Sequence, residues 1–160
     1  MDASRPRGLY FEEFSQGQVI TSPGRTITEA DVVAFAGLSG DYNQLHTDEE
    51  FARGTPYGRR IAHGLLGLAA ASGLAARAGF IEGTTQAFVG LTCKFKAPVF
   101  IGDTIHLRAT VSKLRPMPSM GGGMVVCAME VLNQRGEVVQ EGEWTLLMQG
   151  QPTQVQPSSE

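Results

Sequence analysis

Apolar side chains recur along this chain at two periods, helical in the first half and alternating in the second. Residues 30–38 (ADVVAFAGL) carry them at helical intervals, and Thr28 stands three positions before Asp31, the spacing of a capping box. A helix is therefore predicted from Thr28, ending near Gly37 or Gly40. A second, shorter helix is predicted where Thr47 precedes Glu50 by three, running through EEFAR to Gly54. The longest apolar stretch, residues 64–76 (GLLGLAAASGLAA), is read with its flanks as a helix from about Ile61 to Ala78. It falls short of the roughly 20 residues that a membrane span needs. Its glycines cost helix propensity, but together with the alanines they remove bulk, so other backbone can approach closely and the helix is expected to be wrapped.

Downstream the period becomes two. Ala87, Val89, Leu91, Cys93 and Phe95 alternate with Gln86, Phe88, Gly90, Thr92 and Lys94. Ile105, Leu107, Ala109 and Val111 alternate with Thr104, His106, Arg108, Thr110 and Ser112, as in a strand with one face on a core and one in water. The turn VFIGD separates these runs. Residues 124–132 are apolar on both faces, which suits an interior strand, and NQRG at 133–136 reads as a hairpin turn into a strand over 138–148. Earlier strands are expected within 18–27, and residues 115–123 (RPMPSMGGG) read as a flexible loop. The sum is one α+β domain over residues 9–149, a long antiparallel sheet curled around one apolar helix. Residues 1–8 and 150–160, polar and in the second case rich in Gln, Pro and Ser, are expected to be loose.

Composition narrows the function classes. With 160 residues, 42% hydrophobic and 18% charged, the chain fits one globular domain. A domain of this size buries roughly 70% of its unfolded surface, so it needs neither disulfides nor a structural metal. The two cysteines, Cys93 and Cys127, lie far apart without metal-type spacing, and a reducing, cytoplasmic compartment is expected. A net charge of −3 offers no basic face for a phosphate backbone, so nucleic acid is not an expected partner. Residues 1–8 are polar and no apolar run follows them, so neither a secretory signal nor a membrane partner is expected.

Candidate chemistry concentrates in residues 37–51 (GLSGDYNQLHTDEEF), where Asp41, Asn43 and His46 stand between the two capping signals. On a helix, five positions put Asp41 and His46 about 140° apart, and on a strand they face opposite ways, so only a loop that curls back brings them together. Gly40 and Asn43 tolerate such turns. In the plainer reading Asp41 and Asn43 are backbone caps, His46 is a half-buried histidine, and Asp48, Glu49 and Glu50 form a solvated first helical turn. Metal ligation by His46, Asp48 and Glu50 lacks a second well-spaced histidine, since His63 sits beside a helix start and His106 on the wet face of a strand. No metal is expected.

The segment SGDYNQLHTDEEFA resembles the hydratase motif of the MaoC-like family, the (R)-specific enoyl-CoA hydratases, whose usual form is S/T-G-D-x-N-P-hydrophobic-H. GRRIAHGLLGLAAASGL is similar to that family's central helix with a His-Gly pair at its start, and FKAPVFIGDTI to the strand, turn and strand that follow. Gln44 departs from the pattern by replacing the usual proline, which loosens the preset φ of the turn. The resemblance covers about residues 16–148 and implies a hot-dog fold. It also implies a hydro-lyase adding water to a trans-2-enoyl-CoA to give an (R)-3-hydroxyacyl-CoA. Asp41 and His46 would be the acid/base pair, and Asn43 and Gly64 would bind or orient, Gly64 offering a helix-start N–H to the thioester oxygen. The implied partner is the acyl-CoA thioester, whose coenzyme A belongs to the substrate, so no cofactor is expected, and a homodimer or higher oligomer is. Arg59, Arg60, Lys94 and Lys96 are candidates for the nucleotide phosphates. Other readings on the same architecture are a dehydratase for branched or dicarboxylic acyl-CoA, a thioesterase, and a non-catalytic acyl-CoA-binding protein.

Overall fold

The computed structural model describes residues 5–152. A 3-10 turn, Phe11–Glu13, leads to two short strands, β1 (Val19–Thr21) and β2 (Arg25–Thr26), and to helix α1 (Glu29–Ser39). The predicted capping box is formed. The Thr28 hydroxyl accepts from the Asp31 N–H, the Asp31 carboxylate accepts from the Thr28 N–H, and Gly40 at φ 75° closes the helix.

Two short helices follow, α2 (Gln44–Thr47) and α3 (Glu49–Arg53). The expected cap of the second predicted helix moves by one residue. Asp48, extended at φ −121° and ψ 106°, takes the Phe51 N–H on its carboxylate, whereas Thr47 is the last residue of α2. The Thr47 hydroxyl is occupied, donating to the carbonyls of Tyr42 and Asn43, and Asp is as strong a cap as Thr. Helix α4 (Gly64–Ala78) begins three residues later than predicted. Ile61 is held extended by a bridge to Phe100, and the Ala62 N–H donates to the Val99 carbonyl.

The four long strands are β3 (Thr85–Phe95), β4 (Thr104–Met117), β5 (Gly122–Leu132) and β6 (Val138–Gln149). They form an antiparallel sheet in the order β1-β4-β5-β6-β3, with β2 also beside β4. β5 is interior, as its two apolar faces predict. β4 runs through Arg115 to Met117, into the stretch expected as a flexible loop, because a register shift between Val111 and Lys113 lets these residues pair with the start of β5.

The sheet curls around α4. Ile105, Leu107, Ala109 and Val111 of β4 are buried to a residue, as the alternation predicts, and pack in one core with Leu66, Ala70, Ala71, Leu74 and Ala75 of the helix. Each buried Val, Leu or Ile side chain contributes about 1.5–3 kcal/mol relative to exposure. Burial pushes the Cys127 thiol up to about 11, so it behaves as a packed apolar group. The ends of the chain fall largely outside the described residues, at 1–4 and 153–160. The adjoining segments are tied, the Gly8 N–H to the Glu82 carbonyl and the Gly150 N–H to the Gly121 carbonyl.

The expected wrapping is incomplete. Strand β3 ends the sheet and buries neither face, leaving Phe88, Val89, Leu91 and Phe95 between 44% and 57% exposed. On the same side α4 leaves Leu65, Ala69 and Ser72 uncovered, and a groove of about 410 Å³ runs between them, floored by Leu68 and Trp144.

Candidate active site

The loop between α1 and α3 is shaped by its own polar side chains. The Ser39 hydroxyl accepts from the Asp41 N–H, the Asp41 carboxylate accepts from the Asn43 N–H at 3.1 Å, and the Asn43 side-chain oxygen accepts from the Leu45 N–H at 3.0 Å. These are the capping roles of the plainer reading, and they wind α2 so that His46 is carried inward to 9% exposure. Arg60 anchors the loop from outside. Its guanidinium holds both carboxylate oxygens of Glu29 on α1, at 2.8 and 2.7 Å, and one of Glu49 on α3, at 2.9 Å. The loop and the segment entering α4 are thereby fixed to each other.

Two histidines meet behind the loop. The rings of His46 and His63 stack with centroids 3.9 Å apart and planes 29° apart, and Phe35 lies 5.0 Å from the His63 ring. His46 Nδ1 lies 2.8 Å from the Ile61 carbonyl, and His63 Nε2 lies 2.9 Å from the backbone carbonyl of Asp41. A carbonyl only accepts, so each of these nitrogens carries its proton. In neutral rings this leaves His46 Nε2 and His63 Nδ1 as lone pairs, the latter buried without a partner among the described residues. An oxygen of the Asp41 carboxylate and one nitrogen of each ring lie within 4.8 Å of one another. That span is what one water covers with two hydrogen bonds of about 2.8 Å.

A zinc-type site needs lone pairs that converge within about 2.1 Å of one point. Near-parallel stacked rings hold theirs side by side, and His63 Nε2 is already engaged. The ligand set weighed from sequence does not assemble around His46, since Asp48 caps α3 and Glu50 pairs with Arg53.

A cleft of about 340 Å³ opens in front of the histidines, lined among others by Tyr57, Gly64, Phe95, Lys96 and Gln140. Gly64 is the first residue of α4, so its N–H has no partner within the helix and stands at the positive end of the helix dipole. A Cβ on Gly64 would lie 2.7 Å from the Phe95 ring, so only glycine fits without displacing Phe95. Gln140 of β6 closes the inner wall, 3% exposed, and its Nε2 donates to the Gly64 carbonyl at 2.8 Å.

Sequence reasoning singled out Asp41, Asn43, His46 and Gly64, and all four border this site or build its loop. It missed Gln140, and it placed His63 beside a helix start. Of the phosphate candidates, Arg60 is committed to Glu29 and Glu49, which raises its pKa further above the usual value and leaves no free fork for a phosphate. Lys96 pairs with Glu141 at 3.2 Å, and the Arg59 guanidinium lies over the Phe100 ring at 4.1 Å. Lys94 is exposed and makes no ion pair among the described residues.

The model of the MaoC-like domain matches residues 11–125 of the chain. The (R)-specific enoyl-CoA hydratase of Rhodospirillum rubrum is 37% identical over 139 residues, covering 87% of this chain and 91% of that protein. The 3-hydroxybutyryl-CoA dehydratase of Methylorubrum extorquens is 35% identical over 137 residues, covering 86% and 82%. Among solved structures, the MaoC-like dehydratase from Rhodospirillum rubrum matches with a TM-score of 0.81 at 30% identity, over 91% of this chain and 99% of that one. The (R)-hydratase from Aeromonas caviae matches with a TM-score of 0.71 at 30% identity, over 85% and 98%. A Mycobacterium tuberculosis protein described as a double hot-dog fold matches with a TM-score of 0.78 at 23% identity, covering 94% of this chain and 47% of that one, a likeness of fold. By sequence over most of its length and by its helix wrapped in a curled antiparallel sheet, the chain belongs to the MaoC-like dehydratase family and has the hot-dog fold.

Proposed function

We propose that this protein is a hydro-lyase that reversibly adds water to a trans-2-enoyl-CoA, giving an (R)-3-hydroxyacyl-CoA. The observation that carries this reading is the approach of the Asp41 carboxylate to the paired histidines within 4.8 Å, beside a helix-start N–H. The family membership and the names of the relatives support it.

The chemistry needs a nucleophilic water at C3, a proton for C2, and a donor for the charge that grows on the thioester oxygen. In this reading Asp41 and His46 Nε2 hold one water between them. Its oxygen bonds to C3 while the pair takes one of its protons, the C2–C3 π electrons move toward the thioester, and the pair returns a proton to C2 on the same face. The Gly64 N–H donates to the thioester oxygen as it becomes enolate-like. Asn43 acts through the loop, since its side-chain oxygen is spent on capping α2. Coenzyme A is part of the substrate, and the scheme uses neither a metal nor a separate cofactor. Both cysteines are free, in keeping with a reducing, cytoplasmic setting, and no helix of the described residues is long and apolar enough to cross a membrane.

A second copy of the chain is the partner this reading adds. The exposed face of β3, with the open stripe of α4, presents Phe88, Leu91 and Leu65 around one apolar groove at a free sheet edge. An antiparallel β3 pair about a two-fold axis would cover both grooves with one contact.

The relative named for 3-hydroxybutyryl-CoA favours crotonyl-CoA as the first substrate to try. Purified protein should bleach the conjugated thioester absorbance, and a stereospecific 3-hydroxyacyl-CoA dehydrogenase should identify the (R) product. Asp41→Asn and His46→Gln should each lose roughly 10²- to 10⁴-fold in kcat with melting temperatures near wild type. Normal turnover in either variant would refute the acid/base assignment, and release of free thiol would redirect the reading to thioester hydrolysis.

A further inference from the structure

Gln140 is the least expected residue of the inner wall. It stands on β6 with Val131 of β5 and Phe95 of β3 as its register partners, 3% exposed. The narrow space beside it is lined by Leu68, Leu107, Met129, Val131 and Trp144. Its Nε2 donates to the Gly64 carbonyl, while its Oε1 is buried without a partner among the described residues. A buried acceptor left unpaired costs stability, and a leucine or methionine would fill the same volume without that cost. What the carboxamide alone supplies is the N–H to Gly64.

The helix makes room for this contact. A Cβ on Gly67 would fall 2.4 Å from the Gln140 Nε2, so the missing side chain of Gly67, one turn beyond Gly64, leaves the space from which the amide reaches the Gly64 carbonyl. Gly64 has the freest backbone of any residue type at the point where a fixed N–H is needed. It is held from both sides, by the Phe95 ring and by the Gln140 amide. The Gln140 bond pins the Gly64–Leu65 peptide, one of the two peptide planes that meet at the Gly64 Cα, and so restricts how far the neighbouring His63–Gly64 peptide, which carries the N–H, can turn against it.

We propose that Gln140 is a positioning residue, which sets the orientation of the Gly64 N–H toward the thioester oxygen by clamping the Gly64 carbonyl. The proposal rests on the reading above, in which that N–H is the oxyanion donor. Gln140 touches no reacting atom.

Gln140→Met and Gln140→Leu keep the volume and remove the donor. Each should lower kcat on crotonyl-CoA roughly 10- to 100-fold, the range expected when a pre-set donor drifts by a fraction of an ångström to one ångström. KM should stay within about threefold, because the clamp acts on charge that develops after binding. A turnover-free readout accompanies the kinetics. With Asp41→Asn present to block hydration, bound 2,4-hexadienoyl-CoA should show a red-shifted absorbance, since a hydrogen bond to the thioester oxygen polarises the conjugated chain. Adding Gln140→Met should reduce that shift. Unchanged kcat with an unchanged red shift in the Gln140 variants would overturn the proposal, and so would failure of both variants to fold, which would make Gln140 a structural residue. Absence of wild-type turnover on every enoyl-CoA tried is a different failure. It is read on the wild type alone and counts against the hydratase reading, not against a ratio between variants.

Discussion

At Gly64 a single missing methyl group joins local geometry to chemistry. The ring of Phe95 occupies the space where a Cβ would stand, but Phe95 is itself more than half exposed, so an added methyl displaces it instead of breaking the fold. Gly64→Ala should therefore leave the melting temperature almost unchanged and cut kcat/KM roughly 10- to 100-fold, as the donor and the cleft wall shift. Adding Phe95→Ala should restore part of the loss, and a steady-state comparison of the single and double variants measures this. Asp41 and Asn43 make a related point. Their backbone-capping roles and their place in the site are one arrangement, because the bonds to the N–H groups of Asn43 and Leu45 are what carry His46 inward.

Helix α1 fixes one side of that arrangement and depends on ionised carboxylates. The Thr28 N–H, with further help from the Thr28 hydroxyl and from Arg25, holds the Asp31 carboxyl below its ordinary pKa against the opposing effect of partial burial. The hydrogen bond and charge of Arg60 lower that of Glu29. Both folded-state values lie below the unfolded ones, so their stabilisation is fully present above the unfolded pKa of about 4 and is lost as pH falls through the folded values. Thermal melts at descending pH should show a steep loss in this acid window. Asp31→Asn should flatten that limb and lower the melting temperature at pH 7 by about 2–4 °C, the equivalent of a cap worth on the order of 1 kcal/mol. A variant that keeps the full acid limb would exclude Asp31 as its source.

Elements of this length and regularity were also the readable part of the sequence. The alternation of Ile105 to Val111 named a buried face correctly, and Thr28 with Asp31 named the start of α1. The four residues of α2 are too few to show any period, so they read as loop. Strand β3 alternates like β4 but ends the sheet, and its alternation alone does not mark it as an edge strand. Gln140 could not be read, nor could the partner of His63, for a third reason. The groups they bond, the Gly64 carbonyl and the Asp41 carbonyl, lie 76 and 22 residues away, and no local spacing encodes such a contact.

For the whole molecule, the open groove between β3 and α4 is where the wrapped core is left unclosed. If a second copy covers it, Leu91→Lys should convert the assembly to monomer in sedimentation velocity and lower activity at assay dilution, while Val33→Lys, exposed on α1, should leave the sedimentation coefficient unchanged. A wild type that sediments as a monomer at micromolar concentration would remove the dimer from the proposal.

The strand order also dictates a sequence of events during synthesis. β3 precedes β4 and β5 in the chain, yet among the described residues its only strand neighbour is β6, with Thr85 and Met148 brought together across 63 positions. Until β6 is made, β3 has no strand to pair with. β6 lies between β5 and β3 and carries Gln140 to Gly64, so both contacts require it. The nascent loop can place Asp41 near His46 early, from contacts within a few residues, but the inner wall of the cleft forms only once β6 is in place. Pairings over such distances are slow, so the interval before β6 arrives is the period in which the chain most needs protection from its own exposed strand, and in which a chaperone would find it.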